Sequence, residues 1–417
     1  MDINLQNKRI LGINGIGRIG KLTLWNHLNH KYFDGIVINA GRELGKTVED
    51  VIHYLTTDST YGSLDRFMYG YTGKSCNVKI LNRTESLIEI DGIPVKILKK
   101  ARNPREIDWA KENVRIVIDC TGVFLDPTVP ADHPKGSLRG HLEAGAEKVI
   151  LSAPFKIGDS SRKLPDDSST FVYGVNHSAY APMKHHIISA ASCTTTALAH
   201  MVKPLLDTEE TSQIVTASMT TVHAATNNQN ILDAPPKAGA KDLRRNRSVF
   251  NNIIPTSTGA AIALEEIIPE IKSVGFMADS IRIPTSTVSL ISLNLTFRTE
   301  RTESGEPVIN QNFINDIYRK AAEGAQKDLL VFSENQNVSS DLMGGLAAVV
   351  IEGLENHTRT GFISLDAETL AKYGVEAGQD MNLPVTHAKV FGWYDNEFGC
   401  YVNCLGRLTK YVEKNLI

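Results

Sequence analysis

The stretch ILGINGIGRIGKL, residues 10–22, decides the fold of this 417-residue chain. Its apolar first half predicts a buried strand, and an amphipathic helix is predicted to follow from about Ile19 to Leu28. Between them, the pattern Gly15-x-Gly17-x-x-Gly20 supplies a tight turn, an open approach to the backbone and close packing of helix on strand. This context predicts a turn that holds the pyrophosphate of a dinucleotide at the helix N-terminus. The alternative is a tight strand–helix turn without a ligand.

The second predicted strand, residues 35–39, ends where a dinucleotide-binding domain usually has an acidic residue against the adenosine ribose. This chain has Ala40 there, followed by Gly41 and Arg42. A guanidinium at this place favours tolerance of NADP, because it can pair with a 2′-phosphate. Two alternatives stay open: Glu43 reaches the ribose hydroxyls, or Arg42 is an ordinary surface arginine.

The strand pattern divides the chain into two kinds of sheet. Up to residue 190 apolar strands alternate with loops and helices, and the runs 116–118 and 149–151 are typical of buried parallel strands. We therefore predict an α/β Rossmann sheet for this part, ending in a hairpin near residues 78–90. Beyond it, runs 214–222 and 287–297 are long and alternating. They predict an α+β domain with a largely antiparallel sheet.

A single cysteine lies at the junction of these two regions. An apolar run at 187–188 predicts a short strand, and Ser192-Cys193-Thr194 leads from it into a helix. The positive end of a helix favours the thiolate form of a cysteine. Another strand-like run ends near His223, so a nucleophile and a base could meet at two strand ends. The same residues are also compatible with a buried packing cysteine and an unrelated histidine.

The composition is that of an ordinary globular enzyme or binding protein. Apolar residues make up 42% and charged residues 22%, and a net charge of −3 gives no reason to expect nucleic acid or an anionic membrane as partner. The five cysteines include Cys400 and Cys404, but no second pair at zinc spacing, so no metal site is predicted. The amino end has no apolar core of signal-peptide length and no stretch is long enough to span a membrane. These features predict a cytoplasmic protein.

Further motifs follow in order along nearly the whole chain. They occupy residues 14–20, 121–124, 152–154, 174–177, 191–195, 220–224, 252–255, 257–261, 282–285, 339–341 and 393–399. Together they resemble the phosphorylating glyceraldehyde-3-phosphate dehydrogenase family. The resemblance implies a Rossmann cofactor domain at residues 1–191 and 397–417, a catalytic domain at 192–396, and a homotetramer.

The resemblance also implies a reaction. It is the oxidation of D-glyceraldehyde 3-phosphate to 1,3-bisphosphoglycerate with NAD or NADP and inorganic phosphate. Cys193 would add to the aldehyde, and His223 would hold the thiolate and then accept the hydroxyl proton. Hydride transfer would leave a thioester that phosphate attacks. The N–H of Cys193 at the helix start would stabilise the developing oxyanion.

The binding residues follow from the same resemblance. Those assigned to the cofactor are Gly15, Gly17, Arg18, Ile19, Gly20, Arg42, Arg102, Thr121, Ser152 and Asn396. Arg18 and Ile19 would act through their backbone, and Asn396 would bind the nicotinamide carboxamide. The substrate phosphate would be held by Thr226 and Arg282. The attacking phosphate would be held by Ser192, Thr194, Arg247, Thr258 and Gly259.

The chain departs from the family pattern at several places. Thr196, Ala197 and Cys400 replace the usual Asn, Cys and Tyr, and Ala40 replaces the ribose acid. The loop at 233–247 is longer and richer in Pro and Lys than usual, and insertions are expected at 126–139 and 341–390. These departures leave the NAD or NADP preference and the subunit assembly open.

Two other functions remain as alternatives. One is the same chemistry on erythrose 4-phosphate, with water taking the thioester in place of phosphate. The other is a catalytically inactive nucleotide-binding scaffold, whose insertions would serve as partner surfaces. The presence of Arg247, Thr258 and Gly259 favours attack by phosphate.

Overall fold

The computed structural model describes residues 8–99, 101–159, 161–227, 229–236, 238–240, 242–376 and 379–416. It contains two compact units, one of Met1–Cys193 with Glu397–Ile417 and one of Thr194–Asn396. Residues 1–7, which carry part of the prediction about the amino end, lie outside the described ranges. Within those ranges, none of the helices has the length and apolar character needed to cross a bilayer.

The first unit contains one large sheet and, separate from it, a pair of two-residue strands that bond only to each other, β3 and β4 below. Its strands are β1 (Ile10–Asn14), β2 (Gly35–Asn39), β3 (Thr57–Asp58), β4 (Gly62–Ser63), β5 (Val78–Asn82), β6 (Leu87–Ile90), β7 (Ile93–Leu98), β8 (Val114–Asp119), β9 (Lys148–Leu151), β10 (Ser168–Thr170) and β11 (Ile187–Ser189). Its helices before residue 193 are α1 (Arg18–His30), α2 (Val48–Thr56), α3 (Leu64–Tyr69) and α4 (Leu138–Glu143).

The strand order in this sheet is β10-β11-β9-β8-β1-β2-β7-β6-β5. The strands from β10 to β7 are parallel, and β6 and β5 close the edge as an antiparallel hairpin. Strands β1 and β2 are buried along their whole length, which explains their continuous apolar sequence. The predicted doubly wound sheet and its edge hairpin are confirmed.

Helix α1 begins directly after the glycine turn and packs on this sheet through a buried apolar stripe. Leu22, Trp25 and Leu28 are fully buried in the same core as Leu11 and Ile13 of β1. The indole N–H of Trp25 donates to the carbonyl of Leu55, so its one polar group is satisfied. The helix ends at Lys31, which has a left-handed backbone with a φ of 49°.

Helix α1 also buries a histidine that makes stability depend on pH. His27 is 3% exposed and packs edge-on against Phe33, with ring centroids 5.1 Å apart. Burial lowers the pKa of His27 to about 3, and the neighbouring His30 lowers it slightly more. Between pH 6.5 and pH 3 the unfolded chain therefore binds a proton at His27, and the folded chain does not. The associated stability is therefore complete above the unfolded pKa of about 6.5 and is lost as the pH falls toward 3.

We expect a His27→Leu variant to lose less stability on acidification than the parent protein. The parent should lose about 2 kcal/mol through this one group between pH 7 and pH 5, and the variant should not. The measurement is the drop in the midpoint of thermal unfolding between the two pH values. His387→Leu, at an exposed strand position, is the matched control. An equal drop in the parent and the His27→Leu variant would contradict the assignment.

The second unit carries a second large sheet. Its helices are α5 (Cys193–Leu206, of which Cys193 itself belongs to the first unit), α6 (Glu209–Ser212), α7 (Ala260–Ile267), α8 (Gln311–Glu323) and α9 (Ala367–Lys372). Its strands are β12 (Ile214–Ala224), β13 (Ile254–Ser257), β14 (Gly275–Ile283), β15 (Ser289–Arg298), β16 (Leu330–Ser333), β17 (Val349–Glu352), β18 (His357–Leu365) and β19 (Met381–Tyr394).

The order of this sheet is β13-β14-β12-β15-β19-β17-β16, with β18 also paired to β19. Most neighbours are antiparallel, but β12–β14 and β16–β17 are parallel pairs. The prediction of a largely antiparallel α+β sheet is confirmed. The segment expected to contain an insertion, residues 341–390, includes β17, β18, α9 and the first part of β19, and the antiparallel pairing of β18 with β19 extends the sheet.

The chain returns to the first unit at its carboxyl end. Phe398–Asn403 form a π-helical segment that continues into α10 (Cys404–Lys414). Phe398, Leu405 and Leu408 are buried in the same core as α1. Close packing of the two helices needs Gly406, because a Cβ there would lie 2.2 Å from Oδ1 of Asn26.

Candidate functional site

The glycine turn of the first unit has the shape that a dinucleotide pyrophosphate needs. Gly15 has a φ of +91°, which other residues rarely adopt. A Cβ on Gly20 would lie 2.0 Å from the carbonyl oxygen of Gly15, so only glycine fits there. A Cβ on Gly17 would meet no atom within 4 Å, which leaves the approach to the backbone open. With Gly17 as an N-cap that has no side chain, the first N–H groups of α1 remain available to an anion.

The side chain of Arg18 is held by two carboxylates of the first unit. It pairs with Asp58 and donates from Nε to Oε1 of Glu397 at 3.0 Å. Lys21 also reaches Asp58, at 2.8 Å. Burial alone would raise the pKa of Asp58. This effect is outweighed by hydrogen bonds that the Asp58 carboxylate accepts from Lys21, from two backbone N–H groups and from Arg18. Together they lower the pKa of Asp58 to about 2. The side chain of Arg18 is therefore committed to these ion pairs, and its backbone contact with a cofactor stays a prediction.

The adenosine end of the turn is rich in cationic side chains. Nε of Arg102 donates to the carbonyl of Gly41 at 3.2 Å, so this guanidinium lies beside the loop that carries Arg42. Glu43, the acid that could have reached the ribose, lies 3.6 Å from Nζ of Lys99. Arg42 is exposed. Arg102 and Lys99 thus lie beside the loop that carries Arg42 and Glu43.

A fully buried network fixes the turn that contains Thr121. The indole N–H of Trp109 donates to Nδ1 of His141 at 2.9 Å, so Nε2 of His141 carries the proton and donates to Asp119 at 3.0 Å. Asn14 donates to the same carboxylate at 2.8 Å. The other carboxylate oxygen accepts from both the N–H and the hydroxyl of Thr121. Asp119 therefore orients Thr121 from a position with no solvent exposure.

Ser152 is hydrogen-bonded to the carboxyl end of the same strand, β8. Its backbone N–H donates to the carbonyl of Asp119 at 2.9 Å, so Thr121 and Ser152 are positioned by one residue of β8. Cys120, between them in space, is a packing residue, because burial raises the pKa of its thiol to about 12. These two hydroxyl residues lie at the carboxyl edge of the parallel sheet, where such sheets bind ligands.

Cys193 stands at the first residue of α5. Ala191 before it has a φ of 57°, an unusual value for a residue with a Cβ, and this makes the turn from β11 into the helix abrupt. The turn is held by the hydroxyl of Tyr401, which donates to the carbonyl of Ala191 at 3.0 Å. The thiol of Cys400 donates to the carbonyl of Cys193 at 3.2 Å. Cys400, which stands where the family usually has tyrosine, thus stabilises the backbone at Cys193.

His223 lies near the end of β12 in the second unit and is 3% exposed. Its Nδ1 is 2.8 Å from the carbonyl of Ala224, and because a carbonyl can only accept, Nδ1 carries the proton. Burial and then the charge of Arg282 lower the pKa of His223 to about 3, although the bond to Ala224 opposes this. At neutral pH the ring is therefore neutral, with a lone pair on Nε2 that can accept a proton.

Arg282 is placed beside this histidine by strand register. In the parallel pairing of β12 with β14, His223 is opposite Arg282. Nη1 of Arg282 lies 3.4 Å from the carbonyl of Ala224, which also accepts from His223. Thr226 follows just beyond the strand, and its N–H and hydroxyl both donate to Oε1 of Gln229. A guanidinium from the neighbouring strand therefore lies beside the candidate base, and Thr226 follows it three residues later in the chain.

Tyr394 connects His223 with the start of α5. Its hydroxyl is 3.0 Å from Oγ1 of Thr194 and 2.7 Å from Oγ1 of Thr221. Its ring lies edge-on to the ring of His223, with centroids 6.0 Å apart. Thr194 is the residue after Cys193 in the chain. The hydroxyl assigned to phosphate binding is thus fixed to the strand that carries the base.

Asn396 is oriented by two hydrogen bonds that connect it, through Ser289, to strand β12. The N–H of Ala224 donates to the hydroxyl oxygen of Ser289 at 3.0 Å, and this hydroxyl donates to Oδ1 of Asn396 at 3.0 Å. With Oδ1 acting as acceptor, the Nδ2 group of Asn396 presents donors. That is the chemistry required to hold a carboxamide oxygen.

The residues assigned to the attacking phosphate belong to several different elements and to both units. Arg247 is exposed, and its Nε donates to Asp233 at 2.8 Å. Gly259 is the N-cap of α7 and offers no side-chain cap, while the hydroxyl of Thr258 accepts from the N–H of Ala260. Ser192 adjoins Cys193 in the first unit.

Several supporting residues could not be identified from the sequence. Tyr394 and Ser289 lie far along the chain from the residues they orient, and only the antiparallel pairing of β15 with β19 brings them together. Trp109 and His141 belong to no quoted motif. Tyr394 had one signal, since it falls within the motif at 393–399, but the motif alone does not give it a role.

The fold and these two groups of residues define a class, the nicotinamide-dependent dehydrogenases with a separate catalytic domain. Two family models match the chain. Residues 9–127 match the NAD binding domain of glyceraldehyde 3-phosphate dehydrogenase, and residues 192–396 match its C-terminal domain. The protein belongs to the glyceraldehyde-3-phosphate dehydrogenase family.

Relatives match over nearly the full length. The chain is 36% identical over 409 residues to glyceraldehyde-3-phosphate dehydrogenase 2 of Streptomyces avermitilis, covering 97% of this chain and 99% of the relative. It is 33% identical over 404 residues to glyceraldehyde-3-phosphate dehydrogenase 1 of Bacillus subtilis, covering 97% and 98%. These matches confirm the predicted family, fold class, oxidoreductase activity and NAD(P) cofactor. The individual site residues stay predictions.

Proposed function

We propose that this protein oxidises D-glyceraldehyde 3-phosphate to 1,3-bisphosphoglycerate, with NAD or NADP and inorganic phosphate, through a thioester on Cys193. The observation that carries the proposal is the state of His223. It is a buried, neutral imidazole with its Nδ1 proton committed to Ala224, and it lies opposite the cation Arg282. A neutral base beside an anion-binding guanidinium is what an aldehyde bearing a phosphate requires.

In the first half-reaction the thiol of Cys193 ionises and its thiolate adds to the aldehyde carbon. The carbonyl oxygen takes up the proton that the thiol has lost, and a hemithioacetal forms. His223 accepts the hydroxyl proton at Nε2 as the carbon gives up its hydride. The bound nicotinamide supplies the acceptor for that hydride, and the glycine turn with Thr121, Ser152 and Asn396 would hold the cofactor. Arg282 and Thr226 hold the substrate phosphate and so fix the carbonyl for attack.

In the second half-reaction an oxygen of inorganic phosphate attacks the thioester carbon. The carbon–sulfur bond breaks, Cys193 leaves as thiolate, and the acyl phosphate is released. Ser192, Thr194, Arg247, Thr258 and Gly259 would hold the attacking phosphate. In this role Arg247 would exchange its exposed bond to Asp233 for the phosphate, because an exposed ion pair is weakly stabilising.

The products of a complete reaction test this proposal against the erythrose 4-phosphate alternative. With glyceraldehyde 3-phosphate and phosphate, 31P spectra should show an acyl phosphate. The kcat/KM should be higher for the three-carbon aldehyde than for erythrose 4-phosphate. A higher kcat/KM for erythrose 4-phosphate, with a free carboxylic acid as product, would replace the proposal by the alternative.

Cofactor choice is proposed to depend on Arg42. Replacing Arg42 by alanine should raise the KM for NADP by about tenfold and leave the KM for NAD nearly unchanged, because only NADP carries a 2′-phosphate. The control is Arg83→Ala, an exposed arginine of the same unit that pairs with Glu49. Equal losses for both cofactors in Arg42→Ala would refute this role.

We further propose that residues 1–191 and 397–417 form the cofactor domain and that residues 192–396 form the catalytic domain. The units of the structure divide at Cys193 and at Asn396, close to these boundaries. A homotetramer acting in the cytoplasm, without nucleic acid or membrane partners, completes the proposal. Light scattering coupled to size exclusion would test the assembly.

A further inference from the structure

A cavity of about 320 Å³ lies in the first unit where α1 and α10 run past each other. Three of its side chains, Arg407, Lys410 and Lys414, follow one another along one face of α10 at spacings of three and four residues. His30 faces them from α1. Among the described residues that line the cavity none is acidic. The cavity is therefore strongly cationic although the whole chain carries a net charge of −3.

Two of the three cations contact an aromatic ring of the fold, since Nζ of Lys410 and Nζ of Lys414 lie 4.8 Å and 6.0 Å from the centroid of the Tyr32 ring. In the described part of the chain, none of them takes part in an ion pair with a carboxylate. The one acid of this helix face, Glu413, accepts instead from the hydroxyl of Tyr32. Like charges at helical spacing destabilise a helix. The helix dipole offsets this for Lys414 at the carboxyl end but not for Arg407 two turns earlier. An anion in the cavity would relieve the repulsion.

The same place also contains a buried polar group without a hydrogen-bond partner. Asn26 lines the cavity and is 2% exposed, and its Nδ2 group has no hydrogen-bond partner. A buried amide donor without an acceptor is costly, and such groups are rare in folded proteins. Nδ1 of His30 is used by the carbonyl of Asn26, so Nε2 is the atom left for a ligand. The cavity thus combines cations with an unsatisfied donor, a set that matches phosphate oxygens.

Aromatic side chains form another part of the wall. Tyr173 and Tyr411 line the cavity, and their rings meet edge-on with centroids 6.5 Å apart. Nζ of Lys410 lies 4.8 Å from the centroid of the Tyr32 ring. Aromatic faces beside cations provide stacking for a planar base next to contacts for its phosphates.

We propose that this cavity binds a nucleoside di- or triphosphate, separately from the cofactor site. The phosphates would be held by Arg407, Lys410 and Lys414, and the base would stack on Tyr173 or Tyr411. The volume is at the lower end of the range for small-ligand sites, which favours one nucleotide over a larger partner.

ATP binding to the full-length protein tests this, measured by isothermal titration with the cofactor site saturated by NAD. We expect one further site per chain. In the double variant Lys410→Gln/Lys414→Gln the Kd should rise at least about tenfold, because two phosphate contacts are removed. The matched control, Lys163→Gln/Lys184→Gln, removes two exposed lysines of the same unit and should leave the Kd unchanged.

Two further measurements test whether the cavity binds the base as well as the phosphates. Tyr411→Leu should weaken ATP but not inorganic pyrophosphate, because only ATP has a base to stack. Unchanged thermal unfolding would show that each variant is folded. Absence of the additional site at millimolar ATP, or equal affinity in the double variant and its control, would overturn the proposal. Inorganic pyrophosphate binding as tightly as ATP would overturn the assignment to a nucleotide.

Discussion

Replacing Cys193 by serine should lower kcat by roughly 10⁴-fold or more, while the affinity for NAD or NADP stays within about twofold. The loss is expected because a serine hydroxyl ionises far less readily than a thiol, and because an alkoxide is a poorer leaving group than a thiolate. The cofactor affinity should survive, because the glycine turn, Asp119 and Thr121 are not changed. Steady-state rates and cofactor titration on the same preparation give both numbers.

Thiol chemistry supplies the matched control for this result. Cys76 is half-buried in the same unit, and burial followed by a hydrogen bond to Asp65 raises the pKa of its thiol to about 12. Cys76→Ser should therefore leave kcat unchanged, and Cys193 should react with iodoacetamide faster than Cys76 near neutral pH. Equal labelling of both thiols, with no activity in the parent protein, would support the inactive scaffold instead. Full activity after Cys193→Ser would contradict the role of Cys193 as nucleophile.

Replacing His223 by asparagine should lower kcat/KM by about 10² to 10⁴-fold, the usual contribution of a positioned general base. Asparagine retains a donor for the carbonyl of Ala224 but has no lone pair of comparable basicity. His387→Asn, at an exposed position of β19, is the matched control and should keep full activity. Thermal unfolding of the two variants distinguishes a lost base from a damaged strand.

The pH dependence of kcat/KM tests the state of His223 in the free protein. Because burial lowers the pKa of this residue to about 3, its Nε2 is unprotonated throughout pH 5 to 8. The parent protein should therefore show no acid limb near pH 6.5 that depends on His223. An acid limb at that pH that disappears in His223→Asn would show that the histidine is protonated there. The neutral-base account would then be wrong.

The sequence allowed the glycine turn to be predicted well, because its constraints are local. Gly15, Gly17 and Gly20 act within one strand–helix connection, and each has the geometry that its position predicted. The start of α5 at Cys193 could be predicted for the same reason, because its signal lies in neighbouring residues. Strand alternation was enough to give the two kinds of sheet, because it reflects burial on one face or on both.

The surroundings of the base could not be predicted from local pattern. Arg282 is opposite His223 only because β12 and β14 pair in parallel in one register. Tyr394 reaches Thr194 and Thr221 from the far end of the unit's sequence. Resemblance to a family supplied Arg282, but it supplied no role for Tyr394. Such residues depend on pairing between distant strands, which a single sequence does not specify.

The central claim is that a thioester forms on Cys193 and is released by phosphate. Rapid-mixing measurement of reduced cofactor, with glyceraldehyde 3-phosphate in excess, tests it most directly. Without phosphate we predict a burst close to one equivalent of reduced cofactor per chain, followed by a slow rate. With phosphate we predict continuous turnover. Sustained turnover without phosphate, at the rate seen with it, would contradict the account.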